Sequence, residues 1–475
     1  MKLSDLFLQA TSFLQGIFTH ATRSTANPTN PNIKRLVVLV MENRSFDHIL
    51  GNLMTNEYKI EGLTGFEFNY SDPDSRSGEV RVTRQAPYVP DVDPSPSHEF
   101  HDVMLQLFMR FDVPWPIKES NRGFMYDYGK VAHSSALSGK IMRCFGADQL
   151  PALHALAREF AVCDHWFSSL PGPTWPNRFF IHCATSGGYV DNTLRDYNMD
   201  TIFENLSNHG VSWRVYYHDF PQSLALMKQR KYFWSSYEKF EVFKKNCAEG
   251  ALPQYSFIEP RYFNEGDDRA NDQHPIHGVR LGDAFIADVY ECLKSSPHWN
   301  DTLLVITWDE HGGFFDHVLP PATVNPDGKN APEFNFARLG ARVPAVLVSP
   351  YIPRGTIDKT VYDHSSIPAT LKVLFGLPNF LTKRDSRANT FDRSVTLSSP
   401  RPIALETLPR IPATESASER ATSIPPTELH SSLLALAESL PGTTSVDVTP
   451  ARTEQESATR AKSALAQFVA TQKGN

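Results

Sequence analysis

Two pairs of oxygen-bearing side chains each follow directly on a run of apolar residues. Glu42 and Asn43 come after the run 36–41, and Asp309 and Glu310 come after the run 302–308. Either pair alone could simply cap a helix that begins there. The same arrangement occurring twice favours a site for one hard divalent cation. Carboxylate and amide oxygens without cysteine suit Mg²⁺, Ca²⁺ or Mn²⁺, and Zn²⁺ also accepts carboxylates.

The segment GPTWPNR, residues 172–178, holds a hydroxyl between two prolines. On such a stiff segment, Thr174 is a candidate nucleophile if a bound metal lowers the pKa of its hydroxyl. Asn177 and Arg178 follow closely and could hold an anionic oxygen, such as that of a phosphoryl group. Taken alone, a threonine between prolines is far more often a turn residue.

Several histidines lie in polar loops or at the ends of predicted elements rather than in apolar stretches. An imidazole in such a position could bind phosphate or donate a proton to a leaving alkoxide. For any one of them alone, a hydrogen-bonded structural role is the more ordinary explanation. The histidines concerned are His98, His101, His274, His277, His311, His317 and His364.

The two apolar runs before the acidic pairs predict strands that are buried on both faces, as in a parallel sheet. Amphipathic helices are predicted around 153–160 and 286–293, a further buried strand at 343–349, and a loop at 170–180. This alternation indicates an α/β fold with a predominantly parallel sheet covered by helices. Because the carboxyl ends of parallel strands meet along one edge, both acidic pairs could converge there.

Composition divides the chain into three parts. Residues 1–32 predict an amphipathic helix followed by a polar, proline-broken linker. Residues 33–397 contain the predicted sheet and all the candidate site residues. Residues 398–475 begin with a stretch rich in Pro, Ser, Thr and Glu and end in two helical patterns. They predict a linker and a small helical C-terminal appendage.

The overall composition is that of an ordinary globular enzyme of 475 residues, with 41% hydrophobic residues and a net charge of -7. That charge argues against a general nucleic-acid binder. The five scattered cysteines form no CxxC motif, so the sequence predicts no zinc site built from cysteines. No apolar run reaches the roughly 18 residues of a membrane-spanning helix, and the N-terminus lacks a clear export signal. The sequence favours a soluble protein, cytoplasmic or at a membrane surface, over a secreted one.

Six motifs in consistent order resemble the phosphoesterase family, which comprises bacterial and plant non-specific phospholipases C and an acid phosphatase branch. The resemblance spans about residues 33–395 and implies an alkaline-phosphatase-like fold, a mostly parallel central sheet with helices on both faces. The motifs are ENRSFDHILG (42–51), GPTWPNR (172–178), NDQHP (271–275), DEHGGFFDHV (309–318), GARVPAVLVSPYIPRGTI (340–357) and YDHSSI (362–367).

The resemblance also implies roles for individual residues. By its position in GPTWPNR, Thr174 would be the nucleophile. Three histidines would contact phosphate or move protons, namely His98, His274 and His317. One divalent metal ion would be held by Glu42, Asn43, Asp309, Glu310 and Thr174.

Threonine at the nucleophile position is similar to the phospholipase C branch, whereas the acid phosphatase branch has serine. We therefore expect a phosphoric ester hydrolase that cleaves glycerophospholipids to diacylglycerol and a phosphorylated headgroup through a phosphothreonine intermediate. A phosphomonoesterase of the same fold is the alternative. An inert homologue that binds phospholipid or phosphate is a third reading, but the full polar set argues against it. The expected partners are a phosphoester substrate and, through the N-terminus, a membrane surface, but not nucleic acid.

Overall fold

The computed structural model describes residues 31–88, 91–109, 121–265, 268–412, 424–444 and 449–471. The strands are β1 (Arg35–Met41), β2 (Phe68–Asp72), β3 (Ser77–Arg81), β4 (Thr83–Arg84), β5 (Arg143–Cys144), β6 (Ala161–Cys163), β7 (Trp166–Phe167), β8 (Trp213–Tyr217), β9 (Tyr237–Lys239), β10 (Tyr255–Ile258), β11 (Thr302–Trp308), β12 (Ala345–Val348), β13 (Thr356–Asp358) and β14 (Tyr362–Asp363).

The α-helices are α1 (Phe46–Ile49), α2 (Phe100–Phe108), α3 (Phe124–Val131), α4 (Pro151–Glu159), α5 (Thr174–Cys183), α6 (Ile202–Asn208), α7 (Met227–Arg230), α8 (Phe233–Ser236), α9 (Phe240–Glu249), α10 (Val279–Lys294), α11 (Ser366–Leu374), α12 (Lys383–Arg387), α13 (Glu428–Glu438) and α14 (Glu454–Thr471). The helix predicted within residues 1–32 lies outside the described residues.

A central sheet of eight strands, in the order β13-β6-β12-β11-β1-β10-β8-β9, organises the molecule. Five of its seven strand pairings are parallel, and only β12 runs antiparallel to its neighbours. The prediction of a mostly parallel sheet is confirmed. The strand predicted at 343–349 is present as β12, although its direction is opposite to that of β11.

Helices cover both faces of this sheet, as the side chains of adjacent strands show. On one face, Phe257 of β10 lies 4.6 Å from the ring of His182 in α5, and Trp213 of β8 lies 4.6 Å from Phe203 in α6. On the other face, the ring of Tyr216 in β8 lies 5.2 Å from the ring of Phe243 in α9. Because the residues of a strand alternate between the two faces of the sheet, the central strands are buried on both faces. This burial explains their nearly continuous apolar sequences.

The register between β1 and β11 decides where the functional residues lie. These two strands pair in parallel along their whole lengths, and the last pair is Met41 opposite Trp308. The residues that follow, Glu42 and Asp309, therefore leave the sheet side by side. Both acidic pairs emerge at one edge of the sheet, as the sequence predicts.

The segment predicted as a loop, 170–180, is a loop only as far as Pro173. Helix α5 begins at Thr174, with Pro173 as its N-cap. Pro176 sits in the first turn, where backbone N–H groups have no intrahelical acceptor, so the proline removes no helical hydrogen bond. The prediction was wrong because prolines that usually mark a loop are also tolerated at the start of a helix.

The C-terminal residues 424–444 and 449–471 pack against the sheet domain through two helices. Leu429 and Leu433 of α13 are buried in the main core. Phe468 of α14 lies 5.3 Å from Phe233 and 4.8 Å from Trp234. Within the described ranges, no helix is both long enough and apolar enough to cross a membrane.

A buried cluster of charges joins α14 to the loop that carries His274. His277 Nδ1 lies 2.7 Å from Asp272 Oδ1, and its Nε2 lies 3.3 Å from Glu454 Oε1. Burial alone would lower the pKa of His277, but the two carboxylates raise it to about 10. Although burial opposes it, the proximity of His277 lowers the pKa of Glu454 to about 2. His277 and Glu454 are therefore both charged around neutral pH and form a buried ion pair.

We expect Glu454→Gln to reduce the free energy of unfolding by ~3 kcal/mol, because it removes one partner of a buried ion pair. The difference in thermal midpoint from the unsubstituted protein should be largest near pH 6.5. The difference should shrink as the pH rises towards 10. The pKa of His277 is raised in the folded protein, so its ion pair with Glu454 stabilises the fold fully below pH 6.5 and loses that effect as His277 deprotonates. Thermal unfolding of both proteins at several pH values measures this.

Glu456→Gln, on the same helix but partly exposed, is the matched control and should change stability by less than ~0.5 kcal/mol. Equal effects of the two substitutions, or a gap that does not depend on pH, would contradict the role given to His277 and Glu454.

Candidate active site

The two acidic pairs are tied together by backbone hydrogen bonds at the ends of β1 and β11. The N–H of Asn43 donates to Asp309 Oδ1 at 3.1 Å, and the N–H of Glu310 donates to the same oxygen at 2.8 Å. Asn43 has a φ of 53°, a left-handed conformation that asparagine adopts more readily than most residues. Gly312, also at positive φ, packs so closely that a Cβ there would overlap the backbone oxygen of Asn43. The backbone thus fixes both pairs in place.

Three buried oxygen atoms in this cluster have no hydrogen-bond partner among the described residues. They are Asn43 Oδ1, Asp309 Oδ2 and Glu310 Oε1. Such groups rarely stay unpaired in a folded protein, because an unmet buried acceptor is costly. Carboxylate and amide oxygens in this state fit a hard divalent cation, which would satisfy them together. The residues present therefore suit the metal that the sequence analysis predicts.

Glu42 faces the nucleophile candidate and is held by two donors. Its Oε1 accepts hydrogen bonds from Arg178 and from Gln222 Nε2, both at 2.7 Å, and its Oε2 lies 3.5 Å from the Thr174 hydroxyl. Burial raises the pKa of Glu42 well above its usual range; Arg178 opposes this and the charge of Asp309 adds to it. The buried carboxylates of Glu42 and Asp309 repel each other, so a positive charge nearby stabilises them.

Thr174 is the first residue of α5 and is fully buried. A helix N-terminus carries partial positive charge and free N–H groups, which favour an anionic group beside it. The hydroxyl therefore lies where a phosphoryl group would be stabilised, next to Glu42.

Asn177 and Arg178 are placed differently from one another. The amide nitrogen of Asn177 donates to the carbonyl oxygens of Leu170, Gly172 and Pro173, at 3.3, 2.8 and 3.1 Å. Its hydrogen bonds are therefore used to shape the segment before Thr174, so the structure does not support the predicted substrate contact. Arg178 lies between Glu42 and Asp309, with its Nε 3.4 Å from Asp309 Oδ2, and its Nε and Nη1 have no hydrogen-bond partner in the described structure.

His98 joins the cluster from the segment before α2. Its Nε2 lies 3.1 Å from Asn43 Nδ2 and 3.9 Å from Glu310 Oε1, and its Nδ1 lies 3.2 Å from the carbonyl of Pro96. Burial would lower the pKa of His98, but nearby carboxylates, Glu310 first among them, raise it to about 9. The hydrogen bond from Asn43 favours the neutral ring instead. The carboxylates therefore favour the protonated ring of His98, and the hydrogen bond from Asn43 favours the neutral ring.

His274 faces His98 at 6.0 Å between ring centroids. Its Nδ1 lies 2.9 Å from the carbonyl of Pro275, while its Nε2 is buried and has no hydrogen-bond partner among the described residues. Burial, helped by the charge of His98, lowers the pKa of His274 well below its usual range. A neutral ring that donates through Nδ1 leaves the Nε2 lone pair free to accept a proton.

His317 belongs to a different cluster. Its Nδ1 lies 2.7 Å from Asp47 Oδ2, and Arg342 bonds both Asp47 and Asp316 at 2.9 Å. These charges compensate one another in a buried network. The described contacts of the His317 ring are with Asp47, Glu61 and Arg342 rather than with Thr174 or Glu42, so its predicted catalytic role stays a prediction.

A cavity of about 850 Å³ opens beside the two site histidines. His98 and His274 form part of its wall, with Ile276 from the loop before α10. Ile424 and Glu428, from the C-terminal residues, form another part. The cavity therefore offers both apolar and charged surface to a ligand that reaches the histidines.

Two residues of the site have only weak signals in the sequence. Gln222 follows β8, so the rule that ligands gather at the carboxyl ends of strands could have drawn attention to it. Glu428 lies in a segment that reads as a linker, and nothing local indicates that it returns to the cavity. Its position depends on the packing of α13.

The geometry places a buried hydroxyl 3.5 Å from a buried carboxylate, close to buried oxygens that have no hydrogen-bond partner among the described residues. The family model described as "Phosphoesterase family" matches residues 33–378. The chain belongs to this family and is a phosphoric ester hydrolase.

Relatives at substantial identity carry more specific names. "Non-specific phospholipase C3" of Arabidopsis thaliana is 40% identical over 417 residues, which cover 82% of this chain and 77% of that protein. "Non-specific phospholipase C6" of the same plant is 41% identical over 83% of this chain and 78% of that protein. "Phospholipase C B" of Mycobacterium tuberculosis is 28% identical over 78% of each chain.

We expect Asp309→Asn to weaken the binding of a divalent metal by at least about tenfold, because it removes one charge from the ligand set. Elemental analysis of purified protein, followed by titration of the metal-free protein with Mg²⁺, Ca²⁺, Mn²⁺ and Zn²⁺, measures this. Asp288→Asn, on the exposed side of α10, is the control and should bind as the unsubstituted protein does. Equal metal content in all three proteins would contradict the site.

Proposed function

We propose that this chain is a phospholipase C, which cleaves glycerophospholipids to diacylglycerol and a phosphorylated headgroup. The names of relatives at about 40% identity support the substrate class. The observation that carries the proposal is the Thr174 hydroxyl at the start of α5, 3.5 Å from Glu42 and close to a set of unpaired buried oxygens. A hydroxyl in this setting is suited to attack a phosphorus atom.

The proposed metal ligands are Glu42, Asn43, Asp309, Glu310 and Thr174. When bound there, a divalent ion lowers the pKa of a hydroxyl and withdraws charge from a phosphoryl oxygen. The N-terminus of α5 and the free nitrogens of Arg178 add positive charge on the protein side. Arg178 is thus proposed to act both on Glu42 and on the phosphoryl group.

Attack by Thr174 Oγ1 in line with the leaving oxygen forms a Thr174–O–P bond, releases the hydroxyl proton of Thr174 and breaks the bond between phosphorus and the glycerol oxygen. The leaving alkoxide takes a proton and departs as diacylglycerol. Water then attacks the phosphothreonine and gives up a proton, and the Thr174 oxygen takes a proton as the phosphorylated headgroup is released. His98 and His274 are proposed to handle these protons, and the free Nε2 of His274 is suited to accept one. His317 has no part in this proposal.

Thr174→Ala should lower kcat for phosphatidylcholine by roughly a thousandfold or more, since the nucleophile is removed. The thermal midpoint should change little, because the lost atoms are few, and metal content should fall less than in Asp309→Asn, because four of the five proposed ligands remain. Diacylglycerol release measures the rate, and rapid acid quench of the unsubstituted protein should trap a phosphorylated peptide that contains Thr174. Thr193→Ala, at an exposed threonine, is the control. Full activity in Thr174→Ala would refute the assignment.

The same preparations separate the phospholipase from the phosphomonoesterase alternative. A phospholipase C releases diacylglycerol from phosphatidylcholine much faster than it releases phosphate from a simple aryl phosphate. The reverse order of rates would favour the acid phosphatase reading, and loss of neither activity in Thr174→Ala would favour an inert protein with a contaminant.

Asn177→Ala tests whether Asn177 shapes the segment before Thr174. We expect a loss of about 1–3 kcal/mol in the free energy of unfolding, because three carbonyl groups lose their donor. The value of kcat should fall as well, with little change in KM. A raised KM at unchanged stability would instead indicate the direct substrate contact that the sequence predicted.

A further inference from the structure

One buried glutamine joins two segments that carry residues of the candidate active site. Gln106, in α2, is fully covered by its neighbours. Its Oε1 lies 2.7 Å from His311 Nε2, and its Nε2 donates to the carbonyl oxygen of Ser97 at 2.8 Å. His311 directly follows Glu310, and Ser97 directly precedes His98. The amide therefore holds the neighbour of a proposed cation ligand and the neighbour of a site histidine.

The partners of the Gln106 amide fix its orientation. The carbonyl of Ser97 can only accept a hydrogen bond, so the amide atom beside it is the nitrogen. The same nitrogen donates to Asp127 Oδ2 at 2.7 Å. The remaining atom is an acceptor, so His311 donates to it through its Nε2–H. Phe124 packs edge-on against the His311 ring, with 5.9 Å between centroids, and the ring is thus held by an amide and by an aromatic side chain.

The two segments also touch each other directly. Gly313 has a φ of 73°, and a Cβ built on it would lie 2.6 Å from the backbone oxygen of Ser97. A glycine is required for so close an approach in this conformation. The segment before His98 and the turn after Glu310 are therefore packed against each other, and Gln106 hydrogen-bonds to both.

This packing sets the separation between His98 and Glu310. His98 Nε2 lies 3.9 Å from Glu310 Oε1, which is beyond hydrogen-bonding distance. Glu310 Oε2 accepts a hydrogen bond from the N–H of Gly312 at 2.7 Å, whereas Oε1 has no partner among the described residues. An approach of about 1 Å would let the imidazole hydrogen-bond to Oε1. The ring would then occupy an oxygen that is otherwise available to a cation.

We propose that Gln106 is a positioning residue, which keeps His98 apart from Glu310 and so keeps Glu310 Oε1 available to the divalent ion. This inference rests on the metal site of the proposed function. Gln106 acts through His311 and Ser97 and is not itself a ligand. The loss of a side chain that orients metal ligands in this way typically lowers metal affinity or activity by about 10–100-fold.

Gln106→Met tests the proposal, because methionine keeps the unbranched shape of the side chain and removes its hydrogen bonds. We expect the dissociation constant of the bound divalent ion to rise by about tenfold, since Glu310 loses its fixed separation from His98. Titration of the metal-free protein with Mg²⁺, Ca²⁺, Mn²⁺ and Zn²⁺ measures this without turnover. In the metal-saturated protein, kcat for phosphatidylcholine should fall by about tenfold, with KM little changed.

Gln229→Met is the matched control. Gln229 is also fully buried, its Nε2 donates to Thr201 Oγ1 at 2.9 Å, and its Oε1 accepts from the Tyr237 hydroxyl at 3.4 Å. This variant should lower the thermal midpoint about as much as Gln106→Met and should bind metal as the unsubstituted protein does. Unchanged metal affinity in Gln106→Met, or an equal loss in both variants, would overturn the inference.

Gln106→Asn keeps the test decisive if Gln106→Met does not fold. Asparagine has the same amide on a chain that is one methylene shorter, so it cannot reach His311 and Ser97 together. Its metal affinity should fall by at least about threefold, and an affinity equal to that of the unsubstituted protein would also overturn the inference. If Asp309→Asn binds metal as tightly as the unsubstituted protein, the proposed metal site fails and the inference falls with it.

Discussion

The pairing of β1 with β11 concentrates negative charge at a place that is closed to water. Because Met41 stands opposite Trp308, the carboxylates of Glu42, Asp309 and Glu310 leave the sheet together and are all fully buried. Buried like charges repel each other and lose their hydration, so this arrangement is unfavourable unless cations accompany it. Arg178 supplies part of the compensation, and the unpaired oxygens indicate where more is needed. The chemistry of the site follows from this imbalance.

Two other buried clusters of the described molecule pair acidic side chains with an arginine or a histidine. Arg342 bonds Asp47 and Asp316, and His277 is held between Asp272 and Glu454. These clusters have the same residue types as the site, and their carboxylate oxygens other than Asp272 Oδ2 all accept a hydrogen bond. The candidate site differs in leaving three oxygens, those of Asn43, Asp309 and Glu310, without a partner among the described residues.

Much of the fold followed from local patterns, since β1 and β11 are nearly continuous apolar runs and their polar ends are visible in the sequence. The start of α5 could not be predicted, because Pro173 and Pro176 suggest a loop and only the backbone around Thr174 shows otherwise. His317 shares its residue type and loop setting with His98 and His274, and its partners are set by the tertiary fold. Glu428 is more than three hundred residues from His98, and no local pattern indicates that they share a cavity.

The complete burial of Thr174 has a consequence for how a lipid reaches it. A phospholipid in a bilayer keeps its phosphate at the water boundary, whereas the hydroxyl of Thr174 has no exposed surface. For the proposed reaction, the lipid must be lifted part of the way out of its bilayer before the bond can break. Each methylene group withdrawn from the bilayer costs ~0.8 kcal/mol unless apolar protein surface replaces the lipid around it. Ile276 and Ile424 are apolar residues of the cavity beside His98 and His274. For the proposed reaction, we expect turnover to depend on how tightly the neighbouring lipids hold the substrate as well as on the chemistry.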